Sequence, residues 1–166
     1  MPMIVLILAY VAIGDFFSGQ PTSTANIYWP LVLIFVLSTA AMQGVGQVAS
    51  ILVSGNTVTL LVVSMGVFYL NALLGNFFVR LHTLHYVYRD VLSQFSIGRF
   101  GLEASILLQY GFGRCTGGKV SAVLYSMAID DDAHYYHCLL MLLANCLLTR
   151  LAALALLTYK VRPVKR

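Results

Sequence analysis

Imidazole, carboxylate and thiol side chains are the groups through which this chain could hold a metal or move a proton, and they gather in few places. His82 and His85 stand three residues apart, and Asp130-Asp131-Asp132 is followed by His134 and His137. The first group offers nitrogen ligands and the second nitrogen and oxygen ligands, both suited to a metal on a membrane surface. Polar residues of interfacial helices and loops are ordinarily just solvated, so no metal is expected from either. Glu103 and Arg150 differ, because they are charged residues well inside apolar, membrane-like segments. A charge in hydrocarbon costs about 3 kcal/mol on insertion scales unless it is paired or hydrated, which makes such residues functional candidates. A structural Glu103–Arg150 pair holding a loop to the last helix and a role in transport are both open readings. Cys115, Cys138 and Cys146 form an odd set without CxxC spacing, and Cys146 sits in an apolar run as a small hydrophobe. Neither a GxxxxGK[ST] phosphate loop, a GxSxG elbow nor an HExxH pair occurs, so the chain carries no visible machinery for catalysis.

The elements that would position these residues are hydrophobic. Apolar residues make up 60% of the chain and charged residues 10%, against roughly a quarter charged in a soluble domain. The net charge of +4 does not point to nucleic acid, because the basic residues are scattered except for Lys160, Arg162, Lys165 and Arg166. That cluster reads as a juxtamembrane anchor on the cytoplasmic side.

Four apolar runs read as membrane spans, over about residues 3–17, 28–53, 57–79 and 138–159, in an all-α integral membrane fold. The first is short for a crossing and lacks the basic residue that would begin a signal peptide, so it reads as a membrane helix. The second is uncharged, opens on Tyr28 and Trp29, and carries Ala40 and Gly44 as a small-xxx-small pair with Gln43 and Gln47 one turn apart. Close packing is the plainer role for these residues. Ser54-Gly55-Asn56 makes a tight turn into the third run. Leu81, Leu84, Tyr88, Val91 and Phe95 then recur at helical spacing opposite His82, His85, Arg89 and Ser93, which predicts an amphipathic interfacial helix. The segment from Arg99 to Tyr110 is too short to cross and predicts a re-entrant helix before the last span. With the basic tail, 160–166, in the cytoplasm, the 80–137 region lies outside and the Gly55 turn inside.

Several strings in this order resemble the C-terminal half of the membrane domain of G-subfamily ABC half-transporters, the White and sterol-exporter type. They are Phe17-Ser18-Gly19-Gln20-Pro21, the small-residue run Ser38 to Gly46, Gly75-Asn76-Phe77-Phe78-Val79, Arg99-Phe100-Gly101-Leu102-Glu103, Tyr110-Gly111, Arg150-Leu151 and Tyr159-Lys160-Val161-Arg162. The sequence departs from the family where Asn76 replaces a glycine and Phe100 a tyrosine. The resemblance covers the whole chain and implies the third to sixth spans plus the extracellular elements. ATP and Mg²⁺ would be bound by an ATPase domain not on this chain, which carries no cofactor of its own. It also implies a homodimer or heterodimer with another half-transporter, and a lipid or sterol-like cargo. Phe77 and Phe78 would match the hydrophobic plug, with Asn71 and Asn76 on the substrate path. Cys115 falls where relatives place disulfide cysteines, which implies a bond to Cys138 or to a second subunit. The alternative from another class is a four-span scaffold of tetraspanin type, which would require a Cys-Cys-Gly string that is absent. A membrane-embedded lipid enzyme comes third, since only His82 and His85 offer it a polar cluster.

Overall fold

The computed structural model describes residues 2–18, 25–53, 55–75, 85–111, 124–125 and 134–161, and every regular element among them is helical. In chain order these are α1 (Pro2–Ser18), α2 (Ala25–Leu52), α3 (Thr57–Leu73), a π turn (Val87–Val91), a 3₁₀ turn (Leu92–Phe95), α4 (Ile97–Tyr110) and α5 (His134–Val161). Two helices, over Ile27–Leu52 and His134–Lys160, are long and apolar enough to cross a membrane. The described parts of α1 and α3 have 17 residues each. At 1.5 Å per residue they reach about 26 Å, against about 30 Å of hydrocarbon.

Local sequence explains where the helices break. Asn56 caps α3, its Oδ1 accepting from the Val58 and Thr59 N–H groups at 3.1 and 3.3 Å. Gly55 just before it holds φ 110°, a left-handed conformation that glycine adopts without steric cost. At the start of α4 the Ser96 hydroxyl accepts from the Arg99 N–H at 3.2 Å. Its end is closed by the Gly111 N–H, which donates to the Leu107 carbonyl at 2.8 Å.

The core lies where α4 wedges against α2 and α5. Phe100, Ile34, Leu107, Leu142 and Cys138 are fully buried there. Along the other half of the molecule α2 and α5 touch directly. Gly44 faces Thr149, Gln47 faces Arg150, and Lys160 reaches the Ile51 carbonyl at 3.0 Å. Residue number rises along both helices through these contacts, so α2 and α5 run parallel, and the chain between them must return. The small-residue reading of Gly44 holds: a Cβ there would stand 2.7 Å from the Thr149 Cβ.

The outer surface is apolar. Helix α3 buries none of its side chains, and Val58, Leu61, Val62, Phe68 and Tyr69 stand exposed, as do Leu140, Leu147, Leu148 and Leu151 on α5.

The amphipathic helix expected over 81–95 differs from what is observed. Residues 76–84 lie outside the described residues, and 87–95 wind as the π and 3₁₀ turns. The apolar side chains of this stretch point outward, opposite to a soluble helix and in the sense of the interfacial reading. Tyr88, Val91 and Phe95 are exposed while Ser93 is fully buried, because Ser93 meets the Arg99 guanidinium inside. The segment expected from Arg99 to Tyr110 forms the helix α4, 14 residues long and therefore too short to cross.

Replacing Gly44 with alanine should lower stability by about 1–3 kcal/mol through overpacking against Thr149. Gly46, whose added Cβ would meet nothing within 4 Å, should tolerate alanine with no loss. Thermal unfolding of the two variants in the same detergent distinguishes them.

Candidate functional site

Two polar clusters stand out among the described residues, one buried beneath α4 and one exposed between α2 and α5. The first is built on one face of α4. Arg99 and Glu103 are four residues apart and therefore neighbours on the helix surface. The Arg99 Nε donates to Glu103 Oε1 at 3.0 Å, and the Arg99 Nη1 donates to the Ser93 hydroxyl. The other carboxylate oxygen, Oε2, faces α5, 3.0 Å from His134 Nε2 and 3.8 Å from Cys138 Sγ. Glu103 is only 2% exposed. Burial pushes its pKa up, but the His134 hydrogen bond and the charge and hydrogen bond of Arg99 outweigh that, and the carboxyl is held below its ordinary value. It is therefore an ionised, positioned acceptor at neutral pH. The His137 ring extends the cluster, its centroid 5.6 Å from that of His134 and 6.2 Å from that of Phe100.

The second cluster joins α2 and α5. Arg150 Nη1 donates to Gln47 Oε1 at 2.9 Å and Nη2 to Gln43 Oε1 at 3.5 Å. The two glutamines, one turn apart, thus present their carbonyl oxygens to one guanidinium. A cavity of about 520 Å³ opens beside them, lined by Gln47, Ser50 and Arg150 on its polar side and by Ile51, Leu154 and Leu157 on its apolar side.

The Glu103–Arg150 pair expected from the sequence is not formed. His134, in contact with Glu103, precedes Arg150 on α5 by sixteen positions, or about 24 Å at 1.5 Å per residue. Glu103 finds the Arg99 guanidinium one helical turn away and the His134 ring across the α4–α5 contact, whereas Arg150 meets neutral amide oxygens. The disulfide expectation is corrected too: Cys138 is a free thiol, fully buried against the Glu103 carboxylate. Cys115 lies outside the described residues.

Asn71, expected on a substrate path, ties α3 to α4. Its Oδ1 accepts from the Ile97 N–H at 3.0 Å, its carbonyl accepts from the Ser96 hydroxyl at 3.2 Å, and its amide donates to the Val67 carbonyl at 3.1 Å. Asn76, Phe77 and Phe78 lie outside the described residues, as do His82 and Asp130–Asp132. The sequence reading missed the convergence of His134 and Cys138 on Glu103. The available signal was their i,i+4 spacing, which puts both on one face of α5.

Comparison with family models, with curated proteins and with solved structures finds no match to this chain.

Because the clusters are separate, Glu103→Leu and Arg150→Leu should be additive in unfolding free energy within about 0.5 kcal/mol. Glu103→Leu and His134→Leu should instead show a coupling of about 0.5–3 kcal/mol. A double-mutant cycle by chemical or thermal unfolding in micelles measures both.

Proposed function

We propose that the chain is the membrane-domain portion of an ATP-driven half-transporter of the G-subfamily ABC type, exporting lipid or sterol-like cargo. In this reading ATP binding and hydrolysis are supplied by a domain carried outside this segment, and a second half-transporter completes the path. The observation that carries it is the ordered set of resembling strings from Phe17-Ser18-Gly19-Gln20-Pro21 to Tyr159-Lys160-Val161-Arg162.

Physical features support the membrane part of the reading. The exposed surfaces of α3 and α5 are leucine, valine and aromatic side chains. A surface of that kind in water drives association, whereas acyl chains solvate it without penalty. The polar side chains of Glu103, Asn71 and Arg150 meet partners within the bundle, as polar groups in hydrocarbon must. The string Arg99-Phe100-Gly101-Leu102-Glu103 belongs to a short helix packed against the last long one, in keeping with the re-entrant element that the resemblance implies. The parallel course of α2 and α5 calls for a returning segment, and α3 followed by the residues up to 79 is the apolar run available for it. In the proposed topology, runs 3–17, 28–53, 57–79 and 138–159 cross the bilayer, with the 160–166 tail in the cytoplasm.

The topology is tested by tag accessibility on sealed vesicles. A tag after Arg166 should be reached only from the cytoplasmic face, and one reached only from outside refutes the orientation.

In the proposed path Phe77 and Phe78 form the narrowest apolar point, where rings can exclude water by dewetting yet contact an apolar cargo. Replacing both with alanine in the complete transporter should change export of a fluorescent lipid or sterol and alter basal ATP hydrolysis, with surface expression retained. Unchanged export from folded, dimeric protein would remove these residues from the path.

A further inference from the structure

We propose that Glu103, His134 and Cys138 form a binding site for a divalent transition metal, zinc above all, which fastens α4 to α5. The three side chains offer one oxygen, one nitrogen and one sulfur ligand, and their ligand atoms lie within 4.8 Å of one another. Two of the separations are 3.0 Å, from Glu103 Oε2 to His134 Nε2, and 3.8 Å, from Glu103 Oε2 to Cys138 Sγ. Tetrahedral bonds of about 2.0–2.3 Å place ligand atoms about 3.3–3.8 Å apart, so small side-chain shifts bring all three onto one ion.

The surroundings match what such a centre requires. His134 and Cys138, four residues apart on α5, project from one face, and Glu103 meets them from the facing helix. Arg99 holds Oε1 of the carboxylate and so aims Oε2 at the other two ligands, the orienting role that outer hydrogen bonds play around metal ligands. Glu103 and Cys138 are buried while His134 is partly exposed. The open side of the site therefore faces outward past the imidazole, giving the ion an entry and leaving a fourth position for water. Mixed thiolate, imidazole and carboxylate ligation favours a borderline-soft cation over calcium or magnesium. On binding, the Cys138 thiol gives its proton to solvent as the sulfur–metal bond forms, and His134 binds through an unprotonated Nε2.

The test uses the purified, untagged chain in detergent, stripped with a chelator and titrated with Co²⁺ as a spectroscopic stand-in for zinc. One equivalent should bind and give a thiolate-to-cobalt charge-transfer band that Zn²⁺ abolishes. Cys138→Ala should lose that band, and His134→Ala should weaken binding about 10-fold or more. Zn²⁺ should raise the unfolding temperature of the wild-type chain and leave that of Cys138→Ala unchanged. Should Cys138→Ala fail to fold, a Cys115→Ala/Cys146→Ala double variant keeps Cys138 as the sole thiol, and the band must persist in it. Absence of binding, binding without a thiolate band, a band that survives Cys138→Ala, or one lost from the double variant would overturn the proposal, leaving His134 as a hydrogen-bond partner of Glu103 alone.

Discussion

A carboxylate enclosed in an apolar bundle has to be met by donors on both oxygens, and the packing of α4 depends on how Glu103 meets that constraint. Its Oε1 is served by Arg99 from its own helix and its Oε2 by His134 from α5. The first contact is local and fixes the side chain. The second is a tether between helices, and it fixes where α4 can sit. The apolar residues around it, Phe100, Leu107 and Leu142, are fully buried in that register. Removing the carboxylate would leave Arg99 buried without its counter-charge, which costs more than the pair itself gains.

The same rule explains Asn71 and Arg150. Asn71 answers the first orphan N–H of α4 with a side-chain oxygen from α3, so the end of one helix becomes the cap of another. Arg150 is served by two amide oxygens rather than by an acid. The two bonds engage one donor on each terminal nitrogen and leave the positive charge beside the cavity between α2 and α5. Glu103 and Arg150 thus stand in different settings, a buried carboxylate met by an ion pair and a guanidinium whose bonds to amide oxygens are exposed.

Much of this was legible in residue order, and what was not has a definite physical origin. Run length and hydropathy located the long helices α2 and α5, the turn at Gly55 and the short helix at Arg99–Tyr110, because helix breakers and apolar runs act locally. The closeness of Gly44 to another helix was legible from its small neighbour Ala40. Partner choice was not. A mid-span arginine and a buried glutamate suggest each other by charge alone, but helix rise puts them about 24 Å apart along α5, and no feature of residue order reports that distance. Which face of 87–95 turns inward was likewise not given by residue order. A soluble helix hides its leucines, whereas here Tyr88, Val91 and Phe95 point outward and Ser93 points inward. The 3.6 period survives such an inversion, so periodicity detects two faces without saying which is inside.

The parallel course of α2 and α5 carries the topology further than hydropathy can. Ile51 and Lys160, near the C-terminal ends of the two helices, are hydrogen-bonded, so these ends lie at the same level of the bundle. If both helices cross a bilayer, both do so in the same direction, and the chain from residue 53 to residue 133 must cross back. Helix α4 is too short and too buried to do this. Helix α3 has a largely apolar exposed surface, follows α2 after a turn at Gly55, and ends beside the start of α4 through Asn71. Its 17 described residues cover about 26 Å, so only one further turn is needed to reach about 30 Å of hydrocarbon. The hydrogen bond between Lys160 and Ile51 therefore places the Gly55 turn and the basic end of α5 on one side of the bundle, and the entry to α4, with its Glu103 cluster, toward the other.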